Sequence, residues 1–111
     1  MEEERPLAYT VALWRARPSY EGALAAAWKA LARWTIRRQQ GVLAMRLLRD
    51  EEDPLRLIAV SIWVDRQDID RWQETPEYRA LMMDVSLLCE QQEERHMALI
   101  GEMVLAAEAN G

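Results

Sequence analysis

Few side chains in this sequence could carry chemistry. His96 is the only imidazole among 111 residues, and imidazole is the usual proton carrier near neutral pH. Facing a pocket, it would serve as a general base or a haem ligand; at the start of a strand after a polar stretch, it would sit at the surface. Tyr78 offers a phenolic donor to a carbonyl or phenolate oxygen. Leu57, Ala59, Ser61 and Trp63 alternate and so share one face of an extended segment. The two small residues beside Trp63 leave room for a flat ligand, unless a large helix side chain fills the gap. Trp63 is then core or pocket wall. Trp72 and Tyr78 fall near a helix junction that would form the mouth. Met82 is adaptable filler on the facing helix or part of the pocket lining. Arg46 interrupts an apolar run and must pair or reach water, with Glu102 or an anionic substrate as candidate partners. Asp50, Glu51, Glu52 and Asp53 are consecutive in a turn, which suits solvation better than paired acid–base work.

The elements that must position these groups are legible in outline. Residues 7–16 read as a first strand, ended by Pro18 and Ser19. Ser19 is the expected N-cap of a first helix, with Glu21 in its first turn. Leu24, Trp28, Leu31 and Thr35 keep helical spacing up to about Gln40, and Gly41 stands where a left-handed residue is expected. Arg33, Arg37 and Arg38 would complement the dipole at that helix end. Val42–Arg49 and Leu55–Val64 form a hairpin across the acidic turn, and both are apolar on nearly every position, as in sheets covered on both faces. Asp65 caps a short helix carrying Ile69 and Trp72. Thr75 caps the next one, with Pro76 in its first turn. Tyr78, Leu81, Met82, Val85, Leu88 and Cys89 form its apolar stripe. Gln91–Arg95 reads as a polar closing stretch, and 96–106 as a fourth strand with Gly101 at a bulge. Residues 1–6 and 107–111 are expected tails of one domain whose core spans about 7–106. The order β-α-β-β-α-β predicts an α+β, ferredoxin-like antiparallel sheet with helices on one face. The other face is also apolar, so a second copy is its expected cover, giving a homodimer through the sheet.

Composition narrows the function classes. Half of the residues are hydrophobic and 30% are charged, as in globular domains. A net charge of −5 disfavours nucleic acid as a partner. No apolar run approaches a membrane span. The acidic start, Met1 to Pro6, is unlike a secretory signal, and these features together favour a cytoplasmic location. One cysteine, Cys89, permits no intrachain disulfide. With one Cys and one His, neither a metal site nor another cofactor is expected. Five Trp in so short a chain point to a subunit interface or a pocket for a flat ligand.

Strand, acidic turn, strand ending in Ser61-Ile62-Trp63-Val64-Asp65, short helix with Trp72, then Thr75-Pro76-Glu77-Tyr78: this order resembles the antibiotic biosynthesis monooxygenase (ABM) family of dimeric α/β barrels. The resemblance covers roughly residues 8 to 105. It implies a dimer, a cavity between helices and sheet, and Trp63 as pocket lining. It also implies one of several activities: cofactor-free oxygenation of quinol-like aromatics, haem degradation, or none. The haem-degrading branch carries an axial His on the long helix, and the position at or next to Met82 has none. The family's Asn on the first strand is absent from Tyr9-Thr10-Val11-Ala12-Leu13, and its Asn on the third strand from Leu57-Ile58-Ala59-Val60-Ser61. The missing Asn residues favour a module without catalysis, while Trp63 and the element order make the expected function a cofactor-independent monooxygenase acting on a small aromatic ligand. His96 would be its base, Tyr78 its orienting donor, and Trp63, Trp72, Ser61, Ala59 and Met82 its substrate contacts. The alternative is a non-catalytic dimeric binding or interaction module of the same fold.

Overall fold

A computed structural model of the chain describes residues 6–105. The elements are β1 (Ala8–Ala16), α1 (Glu21–Arg38), β2 (Val42–Arg49), β3 (Arg56–Trp63), α2 (Arg66–Gln73), α3 (Pro76–Leu87) and β4 (Cys89–Ala98). The four strands form one antiparallel sheet in the order β2-β3-β1-β4. This is the α+β, ferredoxin-like arrangement expected from the element order.

Alternation divides the sheet cleanly. In β1, Ala8, Thr10, Ala12, Trp14 and Ala16 are buried, while Tyr9, Val11 and Arg15 are half-buried and Leu13 is exposed. In β3, Leu57, Ala59, Ser61 and Trp63 are buried between half-buried neighbours. The buried set packs against the helices through Leu24, Leu31, Ile69, Trp72 and Val85. In β2 the register shifts between Val42 and Ala44, so one extra residue sits in the ladder. That bulge lets Val42 and Met45 both stand opposite helix-face residues of β3, and it breaks the alternation of the strand's sequence.

The helix starts follow from their caps. The Asp65 side chain accepts from the Gln67 amide at 3.0 Å and the Thr75 hydroxyl from the Tyr78 amide at 3.1 Å. Pro76 occupies the first turn of α3, as expected. Ser19 does not cap α1. It adopts a left-handed φ of 75° within the turn, and Tyr20 precedes the helix without a side-chain cap bond. Gly41 has a φ of 88°, and a side chain there would also collide with the Asp68 carboxylate of α2.

The largest departure from expectation lies at the C-terminal end. The fourth strand is Cys89–Ala98 rather than 96–106, and α3 ends at Leu87. The polar stretch Gln91–Arg95 is the strand itself, paired to β1 with Thr10 opposite His96 and Ala12 opposite Glu94. It lies at the sheet edge with every residue from Glu90 to Ala98 exposed, so burial imposes no alternation on it. Gly101 follows the strand instead of interrupting it. Arg46 occupies the open sheet face opposite Val60, exposed and without an ion pair among the described residues, so it reaches water rather than Glu102. The expected tails, apart from Pro6, and residue 106 lie outside the described residues.

Candidate functional site

The helix face of the sheet is built in rows. Met45, Ser61, Thr10 and His96 stand opposite one another across the four strands. Leu47, Ala59, Ala12 and Glu94 form the next row. Above the first row pack α1, through Trp28, Leu31 and Thr35, and the α2–α3 junction, through Trp72, Tyr78 and Met82. A narrow cavity of about 30 Å³ remains between these layers. Ala59, Ser61, Trp72, Tyr78 and Met82 line it, joined by Thr10, Ala12, Trp14, Trp28, Leu31, Met45, Val60 and Glu94. That volume suits a water-sized group, so a larger ligand needs side chains to move.

Two buried tryptophans are anchored to hydroxyls. Trp63 is fully buried, and its indole N–H donates to Ser61 Oγ at 2.8 Å. Ser61 Oγ in turn shares a hydrogen bond with Thr10 Oγ1. Trp72 donates its indole N–H to Thr35 Oγ1 at 2.9 Å, and the Thr35 hydroxyl donates to the Leu31 carbonyl at 2.7 Å. Each buried N–H thus has the partner that burial demands. The rings form a chain towards the cavity: Trp63 and Trp72 have centroids 4.8 Å apart, and Tyr78 meets Trp72 edge-on at 4.6 Å. Such pairs add about 0.5–1.5 kcal/mol each beyond the area they bury.

A polar cluster closes one end. Gln73 Nε2 donates to Glu94 Oε2 at 2.9 Å and to the Tyr78 hydroxyl at 3.3 Å. Gln73 Oε1 lies 3.3 Å from His96 Nε2, which donates when that nitrogen carries the proton. Burial, then the nearby Glu94 carboxylate, push Tyr78 above the ordinary tyrosine value. The phenol therefore stays protonated and remains a donor. Cys89, buried at the base of β4, is pushed up to about 11 by burial and is not an activated nucleophile.

The structure thus brings five of the sequence-predicted residues together: Ala59, Ser61, Trp72, Tyr78 and Met82. Two stand apart. Trp63 lies behind Ser61 in the core and supports the cavity without lining it. His96 is exposed beside an outward hollow formed with Pro6, Leu7, Asp65 and Arg66, and it reaches the cavity only through Gln73. Sequence reasoning missed Thr10, Thr35, Gln73 and Glu94. Thr10 and Thr35 carried a signal, being hydroxyls at core-facing positions of otherwise apolar stripes. Gln73 and Glu94 carried none, because their meeting depends on the β1–β4 register. Among the described residues, no three His, Cys, Asp or Glu side chains gather as a metal site. Nor is any helix long and apolar enough to cross a membrane.

The family model described as antibiotic biosynthesis monooxygenase matches residues 8–83. No curated protein matches the chain. Solved structures share the fold at low identity. A conserved protein from Methanosarcina mazei superposes with a TM-score of 0.77 at 16% identity, covering 84% of this chain and 92% of its own. A protein from Shewanella oneidensis gives 0.76 at 19%, covering 88% and 95%. A mutant of SnoaB, a cofactor-independent oxygenase from Streptomyces nogalater, gives 0.75 at 16%, covering 90% and 97%.

Proposed function

The chain belongs to the antibiotic biosynthesis monooxygenase family, and on that premise we propose that it is a cofactor-independent monooxygenase. Its substrate is a small aromatic or quinol-like molecule that enters the cavity between helices and sheet. The observation that carries this reading is the lining itself: an aromatic and apolar wall of Trp14, Trp28, Trp72 and Met82 with a few convergent polar groups. In such a reaction the substrate loses a proton and passes one electron to oxygen. The radical pair combines as a peroxide on the ring carbon. Loss of water then leaves one oxygen atom as a carbonyl and the other as water. The protein's part is to exclude solvent, orient the ring and accept the proton.

Trp72 supplies the stacking surface, and Tyr78, kept neutral by burial, is the orienting donor. Two groups could take the proton. Glu94 lines the cavity, whereas His96 reaches it only through Gln73. The base role therefore falls to Glu94, with His96 at the outer end of the same network. An oxygen electrode and a panel of quinols test the reading. Uptake above the protein-free rate, reduced in Tyr78→Phe and Glu94→Gln, is expected. No uptake with any quinol overturns it.

One observation favours the rival, a binding module without catalysis. The cavity is small, and the tryptophan that would form its wall, Trp63, is buried behind Ser61. In both readings the protein is a homodimer. The sheet face away from the helices carries Tyr9, Val11, Leu13, Ile58, Val60 and Ile62, all half-buried or exposed in the single chain, and a second sheet is their simplest cover.

A further inference from the structure

The hydroxyls of Thr10 and Ser61 do not balance among themselves. Together they own two protons. One of these makes the bond between them, whichever residue donates it. Trp63 supplies its own proton to Ser61 and so occupies an acceptor site, not a donor. If Ser61 donates to Thr10, the Thr10 proton is left over. If Thr10 donates to Ser61, the Ser61 proton is left over. Neither residue has a further hydrogen bond within the described chain. Both are at least nine-tenths buried, at 4% and 2% exposure, and both line the cavity. A buried hydroxyl proton without a partner is costly unless something in the cavity accepts it.

We infer that the inner end of this cavity is a subsite for one ligand oxygen, held as a hydrogen-bond acceptor by the leftover proton of the Thr10–Ser61 pair. The inference rests on the cavity being the ligand site and adds the class of group it selects: a carbonyl-bearing aromatic over the corresponding hydrocarbon. The volume fits the assignment. About 30 Å³ admits a water-sized group, and a single carbonyl oxygen is that size. The ring of the ligand then lies outward, against Trp28 and Trp72. Met45 and Met82 are the unbranched side chains whose rotation widens the passage. The proton count also makes the pair redundant. Losing either hydroxyl leaves one donor at the cavity, and only losing both removes it.

The test compares 1-tetralone with tetralin, which share a skeleton and differ by the carbonyl. In calorimetry the unaltered chain is expected to favour the ketone by roughly three- to tenfold, the yield of one net hydrogen bond. Thr10→Val and Ser61→Ala alone are each expected to keep most of that preference, and the double variant to abolish it. Thermal melting and tryptophan fluorescence report whether each variant folds, because Ser61→Ala also strands the Trp63 N–H. Should the double variant not fold, a crystal structure of the unaltered chain with tetralone decides. A carbonyl within hydrogen-bond distance of Thr10 Oγ1 or Ser61 Oγ supports the subsite, and a carbonyl turned elsewhere overturns it. Equal binding of the two probes in the cavity overturns the subsite and leaves the ligand-site reading intact. If neither probe enters the cavity, the ligand-site reading falls and the subsite falls with it.

Discussion

The two faces of the sheet are made from alternate residues of the same strands, yet they differ in kind. The helix face mixes extremes of size: Ala8, Ala12, Ala16 and Ala59 beside Trp14 and Trp63, with Thr10 and Ser61 as its buried polar points. Across β1 and β3 the open face is more even, chiefly Val, Ile and Leu with Tyr9, and Arg15, Arg46, Arg56, Glu93 and Arg95 stand around them. Large beside small creates recesses, and the cavity lies in one of them. Uniform bulk creates a smooth surface, suited to another smooth surface. On the proposed reading, one face serves a small molecule and the other a second copy of the chain.

The comparison can be broken first at Trp63. Trp63→Ala empties the most buried point of the helix face and removes the donor to Ser61. A loss of about 3–5 kcal/mol in unfolding free energy is expected from urea denaturation. On the open face, Val11→Lys is expected to spare the subunit fold and to disrupt association. A buried lysine without a partner is expected to weaken the proposed dimer about a hundredfold, and sedimentation at micromolar concentration would then show a monomer. A dimer of unchanged strength would mean that this face is not the interface. A smaller effect separates packing from hydrogen bonding on the helix face. Thr35→Val keeps the shape but strands the Trp72 N–H. It is expected to cost about 1–2 kcal/mol, and a change near zero would show that water or another group replaces the hydroxyl.

The smallest effect sharpens the contrast through pH. Burial raises Cys89 from 9.0 to about 11 and raises Tyr78 above its ordinary value. Both favour the folded state fully below their unfolded values, and that contribution is lost as pH rises through the folded ones. On the open side, the hydrogen bond and charge of Arg15 lower Asp53. Its contribution is present above the unfolded value and lost as pH falls through the folded one. Denaturation midpoints from pH 3 to pH 11 should therefore decline at both ends. Cys89→Ala is expected to flatten only the alkaline limb, and Asp53→Asn only the acid limb.

How far the sequence discloses this molecule follows the same division. β1, β2, β3 and the caps at Asp65 and Thr75 are legible because burial, alternation and local hydrogen bonds write them into short stretches. β4 is not, because its residues answer to one neighbour strand and to water. Misplacing that strand at 96–106 hides Glu94 and places His96 at the strand's start, where its register opposite Thr10 cannot be read. The cavity lining on β3, α2 and α3 is recoverable from spacing. The role of Trp63 is not, since lining a cavity and standing one residue behind it give the same alternation. Ser19 looks like a cap by type, yet the turn before α1 requires a left-handed residue there.

The polar makeup of β4 has a consequence beyond the site. An edge strand offers a row of unpaired amides and carbonyls to any passing chain. Here that row is carried by Glu90, Gln91, Gln92, Glu93, Glu94 and Arg95, all exposed. A second edge arriving in register would bring like charges together and strip water from them. The surplus of carboxylates along this edge opposes lateral pairing and growth into a fibre at the fourth strand.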